Sequence, residues 1–317
     1  MIKFCLSARP QKGPAKKEFG GNFMKKIIAV LLAAAMMAVI AAGCSGGGES
    51  SAPSQNGGAG SDSGTSAQEK DESWTKVKDA GKFVLGLDAE FPPMGFKDTE
   101  TGDVIGFDID VAKEACKRLG VEFVAQPINW DNKQMELDGG NIDCVWNGMS
   151  YTEERAKSML VSKPYMKNEQ YLLTLKSSDY STMESLKGTT LGVQKDSSAE
   201  SALNKNEAFK STLGEVVGIE NYTSALMELK NNTIQVVAID EVVARYYLQN
   251  EPGVYQIVQD DKGENASLAA EDYVIGFRKG DTALMEKVYA ALEEMKADGT
   301  LAEISNKWFE KDITTVE

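Results

Sequence analysis

Several short stretches place charged, hydroxylic or aromatic side chains where an apolar run stops. "NGMSYTEERAK" (147–157) follows "IDCVW" and holds a glycine, a hydroxyl and one arginine. The guanidinium of Arg155 is a planar fork suited to a carboxylate. Gly148 lets backbone N–H groups approach a bound atom closely, and Ser150 adds a hydroxyl. Asn147 and Met149 complete the segment. "QKDSSAE" (194–200) has the Ser197/Glu200 spacing of a capping box, so a helix starting there offers free N–H groups at Ser197 and Ser198 to the same anion. Lys195 stands beside it. Asp240 ends "TIQVVAI" and suits an ammonium group. Asp88 and Phe91 in "LDAEFPP" and Trp130 in "INWD" supply a carboxylate and two aromatic faces that can sandwich an aliphatic stem or a planar group. Together these residue types describe a trap for a zwitterion. Each also has a plainer use: Arg155 paired with a neighbouring glutamate, Asp240 capping the helix "EVVARYY", Phe91 and Trp130 as core.

Other chemistry is poorly supplied. The 317 residues contain no histidine, the commonest general base and zinc ligand, and carry a formal charge of −14. The part read as folded has no G-x-S-x-G elbow between strand and helix, no phosphate loop and no dense metal-ligand cluster, so neither catalysis nor a cofactor is expected. An acidic chain also lacks the basic surface that nucleic acid requires.

The elements that must position these residues alternate between strand and helix. "KFVLGLDA", "VEFVAQPI" and "IDCVWNG" read as strands. Between them, "DIDVAKEACKRLG" has Ile109, Ala112, Cys116 and Leu119 on one helical face, with Gly120 as a stop. "NEQYLLTLK" starts a second series of the same grammar, and "EDYVIGFRKGD" is another extended run. Thr300 and Glu303 have capping-box spacing for a closing helix. Such alternation predicts α/β layers with largely parallel sheets, in two similar lobes, and ligands in such folds bind at the carboxyl ends of strands. Cys116 and Cys144 fall at apolar positions and read as small buried side chains; their spacing leaves a disulfide between them open.

The N-terminal part is of another kind. Met24 to Cys44 has two lysines, an apolar run and a small-residue ending, the pattern of a secretory signal. Its end, "VIAAGC", resembles the bacterial lipobox, which implies cleavage before Cys44 and lipid on that cysteine. Residues 1–43 are then leader and signal, with Met24 expected as the true start. Residues 44–73, rich in glycine and serine, are expected to be a flexible tether.

From about Lys82 to Phe309 the chain resembles the extracellular solute-binding proteins of polar amino acid ABC transporters, solute-binding family 3. "GFDIDVAKEACKRL", "EFPPMGFKD", "NIDCVWNGMSYTEERA", "SKPYM", "LGVQKDSSAE", "AIDEV" and "KADGTLAEISNKWF" carry the resemblance. It implies a two-lobed periplasmic-binding-protein-like fold with mixed, mostly parallel sheets, helices on both faces and a two-strand hinge. Lobe one is expected at 74–167 plus 271–317, and lobe two, with the hinge strands, at 168–270. It implies that Ser150 and Arg155 hold an α-carboxylate, assisted by Gly148 and Ser198. Asp240 then takes the α-ammonium, Phe91 stacks on the ligand, Asp88 meets its side chain, and Trp130 forms the opposite wall. Lys195 stands where many relatives have an uncharged turn, and would disfavour a cationic side chain if it reached the cleft. The implied function is a lipid-anchored, extracytoplasmic, monomeric receptor that hands a free, polar amino acid to a membrane permease, with the ATPase on another chain. A dehydratase on the same scaffold and a sensor lipoprotein are the competing readings.

Overall fold

The computed structural model describes residues 70–317. The leader, the signal, Cys44 and nearly all of the tether lie outside the described residues.

The first sheet is built around Lys82–Leu87. Glu122–Pro127 and Cys144–Val145 flank it in parallel, Gly276–Phe277 returns antiparallel, and Leu160–Val161 closes the sheet. Side chains alternate across a strand. Phe83, Leu85 and Leu87 join the cluster that contains Ile109, Ala112 and Cys116. Val84 and Val145 face the other way, toward Leu137 and Ile142. Apolar cover on both faces explains why this strand reads as a continuous apolar run. The helix Phe107–Leu119 buries Ile109, Ala112 and Cys116 with Leu119 half-buried, and it stops at Gly120, whose left-handed backbone returns its N–H to the carbonyls of Cys116 and Lys117.

The second sheet repeats the logic. Val236–Asp240 lies parallel to Thr190–Gln194 and antiparallel to Met166–Leu175. Glu215–Ile219 and Tyr255–Ile257 stand on the outer sides. Leu172, Val193, Val236 and Ala238 enter one apolar cluster, while Leu173, Val237 and Ile239 enter the other. The molecule is thus two-lobed, each lobe an α/β unit with a mixed sheet. Two long strands, Met166–Leu175 and Ser267–Tyr273, pair antiparallel and place Asn168 opposite Glu271. The chain beyond Tyr273 runs directly into Gly276–Phe277 of the first sheet.

"EFPPMGFKDTETGDVIGF" forms a three-stranded meander from Glu90–Phe91, Gly95–Lys97 and Val104–Ile105. Cys116 and Cys144 are both buried and free. The capping box expected at Thr300 is not formed. The helix Thr300–Phe309 already includes Thr300, whose N–H and hydroxyl both donate to Asp298 Oδ1 at 3.0 and 2.7 Å. The shorter aspartate two residues earlier reaches that N–H first. Among the described residues no helix is long and apolar enough to cross a membrane.

Gly106 makes the tightest backbone approach. Its φ is +143°, and a Cβ there would lie 2.2 Å from the Met94 carbonyl oxygen. Met94 cannot yield, because its carbonyl accepts the Asp108 N–H at 2.9 Å. Gly106→Ala is therefore expected to destabilise the fold by about 3 kcal/mol. Urea unfolding measures this; an unchanged midpoint would refute the account.

Candidate functional site

The polar residues expected at strand ends do lie there. Asp88 follows Lys82–Leu87, and the segment from Asn147 to Ser150 follows Cys144–Val145. Ser197 and Ser198 follow Thr190–Gln194, and Asp240 ends Val236–Asp240. The ends of the two sheets face each other, so residues far apart in sequence come within hydrogen-bond distance.

Asp240 is at the centre. Its Oδ1 accepts from Asn168 Nδ2 and Gln170 Nε2, both at 2.7 Å, and from the Tyr273 hydroxyl at 2.8 Å. Its Oδ2 accepts from the Tyr222 hydroxyl at 2.8 Å. Asp240 precedes the helix Glu241–Asn250, but its side chain makes no capping bond there. Burial, with the neighbouring Glu271 carboxylate adding to it, raises its pKa to about 7 against the pull of its donors. Gln170 Oε1 and Asn168 Oδ1, the other ends of two amides that hold Asp240, are buried with no donor. A bound ammonium has three N–H donors to offer acceptors of this kind.

Beside this acceptor centre lies a donor group. Ser198 Oγ is 3.1 Å from Ser150 Oγ and 3.2 Å from Gln170 Nε2, so the hydroxyls of both sheets meet next to Asp240. Arg155, in the helix Glu153–Ser158, is buried; burial lowers its pKa, which nearby Asp196, Glu271 and Asp240 oppose. Its Nη1 donates to the Ser150 carbonyl at 2.8 Å and its Nη2 to the Asp196 carbonyl at 2.9 Å. Pairing with a neighbouring glutamate is not its use. Gly148 has φ +56°, and a Cβ there would lie 2.9 Å from the Phe91 ring and 3.1 Å from that of Tyr273. Glycine is therefore required both for the turn and for the aromatic packing. The Gly148 N–H donates to Asp108 Oδ2 at 2.7 Å, and the Tyr165 hydroxyl donates to the same atom at 3.0 Å. Burial raises Asp108 to about 7.

The aromatic and acidic walls follow. Phe91 is buried with its ring 5.5 Å from that of Tyr222. Trp130 carries the Lys133 ammonium at 4.8 Å and the Arg155 guanidinium at 5.9 Å from its ring centre. Asp88 Oδ2 accepts from Gln194 Nε2 at 2.6 Å, and its backbone N–H donates to Asn147 Oδ1 at 3.1 Å. Burial, reinforced by Glu90 and Glu220, raises Asp88 to about 6. These carboxylates line a cavity of about 280 Å³ together with Ala89, Pro127, Ile128, Asn129 and Asn221.

Three expected residues are placed elsewhere. Lys195 is exposed and runs along Gly218, where a Cβ would meet its Cγ at 3.0 Å. Its N–H donates to the Ile219 carbonyl, and its side chain lies along the neighbouring strand. Met149 packs in the core with Trp130 and Leu137. Ser197 caps its helix by accepting the Glu200 N–H at 3.1 Å, while the Glu200 carboxylate reaches back to the N–H of Asp196 instead of Ser197. The cation at the site that sequence reasoning missed is Lys133. It is 2% exposed and donates to the Trp130 carbonyl at 3.0 Å and to both the carbonyl and the carboxylate of Asp196. Burial and the Arg155 charge lower its pKa to about 8. Asn168 and Gln170 had a legible signal, two amides at alternate positions of an apolar strand, and so on one face. Tyr222, Tyr273 and Glu271 had none. Among the described residues no group of three or more side chains could hold a metal ion.

The family model for bacterial extracellular solute-binding proteins, family 3, matches residues 83–311. The chain belongs to that family. It is 31% identical over 260 residues to the glutamine-binding protein of an ABC transporter from Bacillus subtilis strain 168, covering 81% of this chain and 91% of the relative. A substrate-binding protein of an ABC uptake transporter from Streptococcus pneumoniae, solved with bound histidine, is 38% identical with a TM-score of 0.72. That match covers 78% of this chain and 99% of the other. An ancestral arginine-binding protein bound to glutamine is 40% identical over 73% of this chain and 99% of the other, with a TM-score of 0.65. The family is one of transport-associated binding proteins, not of enzymes.

The buried acids set a pH response. A carboxylate whose native pKa is raised makes the native chain bind protons that the unfolded chain has released. The stability this gives is fully present below the ordinary value of 3.8 and is lost as pH rises through about 7 for Asp108 and Asp240, and about 6 for Asp88. Lys133 works in the opposite sense: its buried charge is a cost below about 8 that fades toward 10.5. The chain without added amino acid is therefore expected to melt several degrees higher at about pH 5.5 than at about pH 7.5, with Asp240→Asn flattening the rise. A melting temperature that falls over that window would contradict the placement of these groups.

Proposed function

We propose that this family member is a receptor for a free, nitrogen-bearing amino acid, which it holds between its two lobes and delivers to an ABC import permease. One observation carries the reading. The Ser150 and Ser198 hydroxyls and the buried Arg155 meet directly beside a buried Asp240 whose supporting amides still have acceptor capacity. Donors for a carboxylate next to an acceptor for an ammonium match the two charged ends of an amino acid. Phe91 and Trp130 would wall the stem. Asp88, Glu90 and Glu220 would receive the far end of the side chain, so an amide or a cation fits and a carboxylate does not. With Lys195 turned outward, nothing it contributes opposes a cation there. The relatives named for glutamine and arginine, and the neighbour with bound histidine, agree with that range.

In this reading the lobes are 74–167 plus 271–317 and 168–270, and the two long paired strands act as the hinge on which they close. Cys44 carries lipid and holds the receptor on the outer surface of the cell membrane.

Titration calorimetry with arginine, glutamine, histidine and cystine is expected to find at least one ligand. Arg155→Ala should weaken that ligand by about 2–5 kcal/mol, because a buried charge is left unpaired. Equal affinity in the variant would remove the carboxylate assignment, and a panel without a binder would remove the receptor function. Mass spectrometry of the membrane-extracted chain should find acylated Cys44 at the N-terminus; an unmodified cysteine there would remove the anchor.

A further inference from the structure

The donors assigned above to the ligand's carboxylate already have an acceptor supplied by the chain. Glu271 Oε2 lies 2.6 Å from Ser150 Oγ, 3.0 Å from Ser198 Oγ and 2.9 Å from Gln170 Nε2, with Asn168 Nδ2 at 3.4 Å. Its charge also acts on Arg155 and Asp240. One side-chain carboxylate thus takes the hydroxyls of both lobes, within the field of the buried guanidinium. A hydroxyl has one proton to donate, so while Ser150 and Ser198 both serve Glu271 neither can donate to a second carboxylate.

We propose that Glu271 is an internal competitor for the ligand's carboxylate, so that binding exchanges one carboxylate for another and Glu271 sets the affinity. The proposal rests on the receptor reading for what the arriving carboxylate is, but not for what Glu271 does. Glu271 sits in Ser267–Tyr273, half-buried, directly opposite Asn168. It also lines a cavity of about 530 Å³ whose other walls include Tyr151, Ser201, Lys205 and Asn206. On this proposal the displaced carboxylate turns into that open space, which Lys205 also lines. The adjacent Asp240 favours that departure, since the two carboxylates repel each other at close range.

Two measurements test this on the purified chain. In the first, Glu271→Ala removes the resident carboxylate but leaves the donors. Acetate, titrated against chloride at matched ionic strength, should raise the melting temperature of Glu271→Ala and leave the wild type unmoved. No acetate shift in the variant, or an equal shift in both, overturns the proposal. In the second, Glu271→Gln is titrated with arginine and agmatine, histidine and histamine, and glutamine and its decarboxylated amide. Each amine keeps the ammonium and side chain and lacks the carboxylate, so the affinity ratio within a pair isolates the carboxylate. That ratio should rise by about tenfold in Glu271→Gln, the worth of one charge-assisted hydrogen bond no longer contested. A ratio that stays or falls overturns the proposal. A wild type that binds none of the amino acids sinks the receptor reading, while the acetate measurement still decides the role of Glu271.

Discussion

The burial of the Asp240 carboxylate is the constraint around which the rest is arranged. A carboxylate taken out of water costs several kcal/mol unless its lone pairs are matched. Here four donors match them, and they come from three separate elements. Asn168 and Gln170 are on one long strand, Tyr273 is on its partner, and Tyr222 opens the helix Tyr222–Lys230. Strand pairing and helix position are therefore tied to a single anion. Backbone pairing joins the two strands and one apolar cluster includes residues of all three elements, and the carboxylate adds a polar tie among the same three.

A second set of polar contacts joins the strand ends of the two sheets. Asp88 meets Gln194, Ser150 meets Ser198, and Arg155 and Lys133 converge on Asp196. Asp196 is one of the few non-glycine residues with positive φ, at 54°. Left-handed backbone at a non-glycine residue costs about 1 kcal/mol. It turns the Asp196 carbonyl toward two cations at once, which compensates the strain. An uncharged glycine would make the turn more cheaply but would lack the carboxylate that Lys133 uses.

The sequence made the strand-and-helix order legible because both faces of each sheet are buried, which leaves apolar runs bounded by polar strand ends. The same rule located Asp88 and Asp240, each the first polar residue past such a run, whereas Ser150 and Ser198 stand several residues further on and are read from the adjoining turn and from a helix start. It failed for Lys195, because a residue next to a strand end has two directions open, and this side chain lies along Gly218 of the neighbouring strand. It failed for Lys133, which looks like the solvated side of a short helix and is buried between Trp130 and Asp196, the latter arriving from the other sheet. Partners of that kind depend on tertiary approach, and no local pattern encodes it. The Thr300 spacing forms no capping box because Asp298, two residues before it, takes the Thr300 N–H and hydroxyl.

The position of Trp130 has a consequence for how this protein can be observed. Of the four tryptophans, Trp74 packs half-buried against the core, Trp146 is enclosed in it, and Trp308, in the closing helix, donates to Asp110. Trp130 is the one whose ring meets both the Arg155 guanidinium and the Lys133 ammonium. An indole's emission follows the electric field across its ring, and these two cations are also the ones held by the opposite sheet. Any event that changes how the sheets meet must alter that field. The molecule thus carries an intrinsic optical gauge of its own cleft, and no label has to be attached to read it.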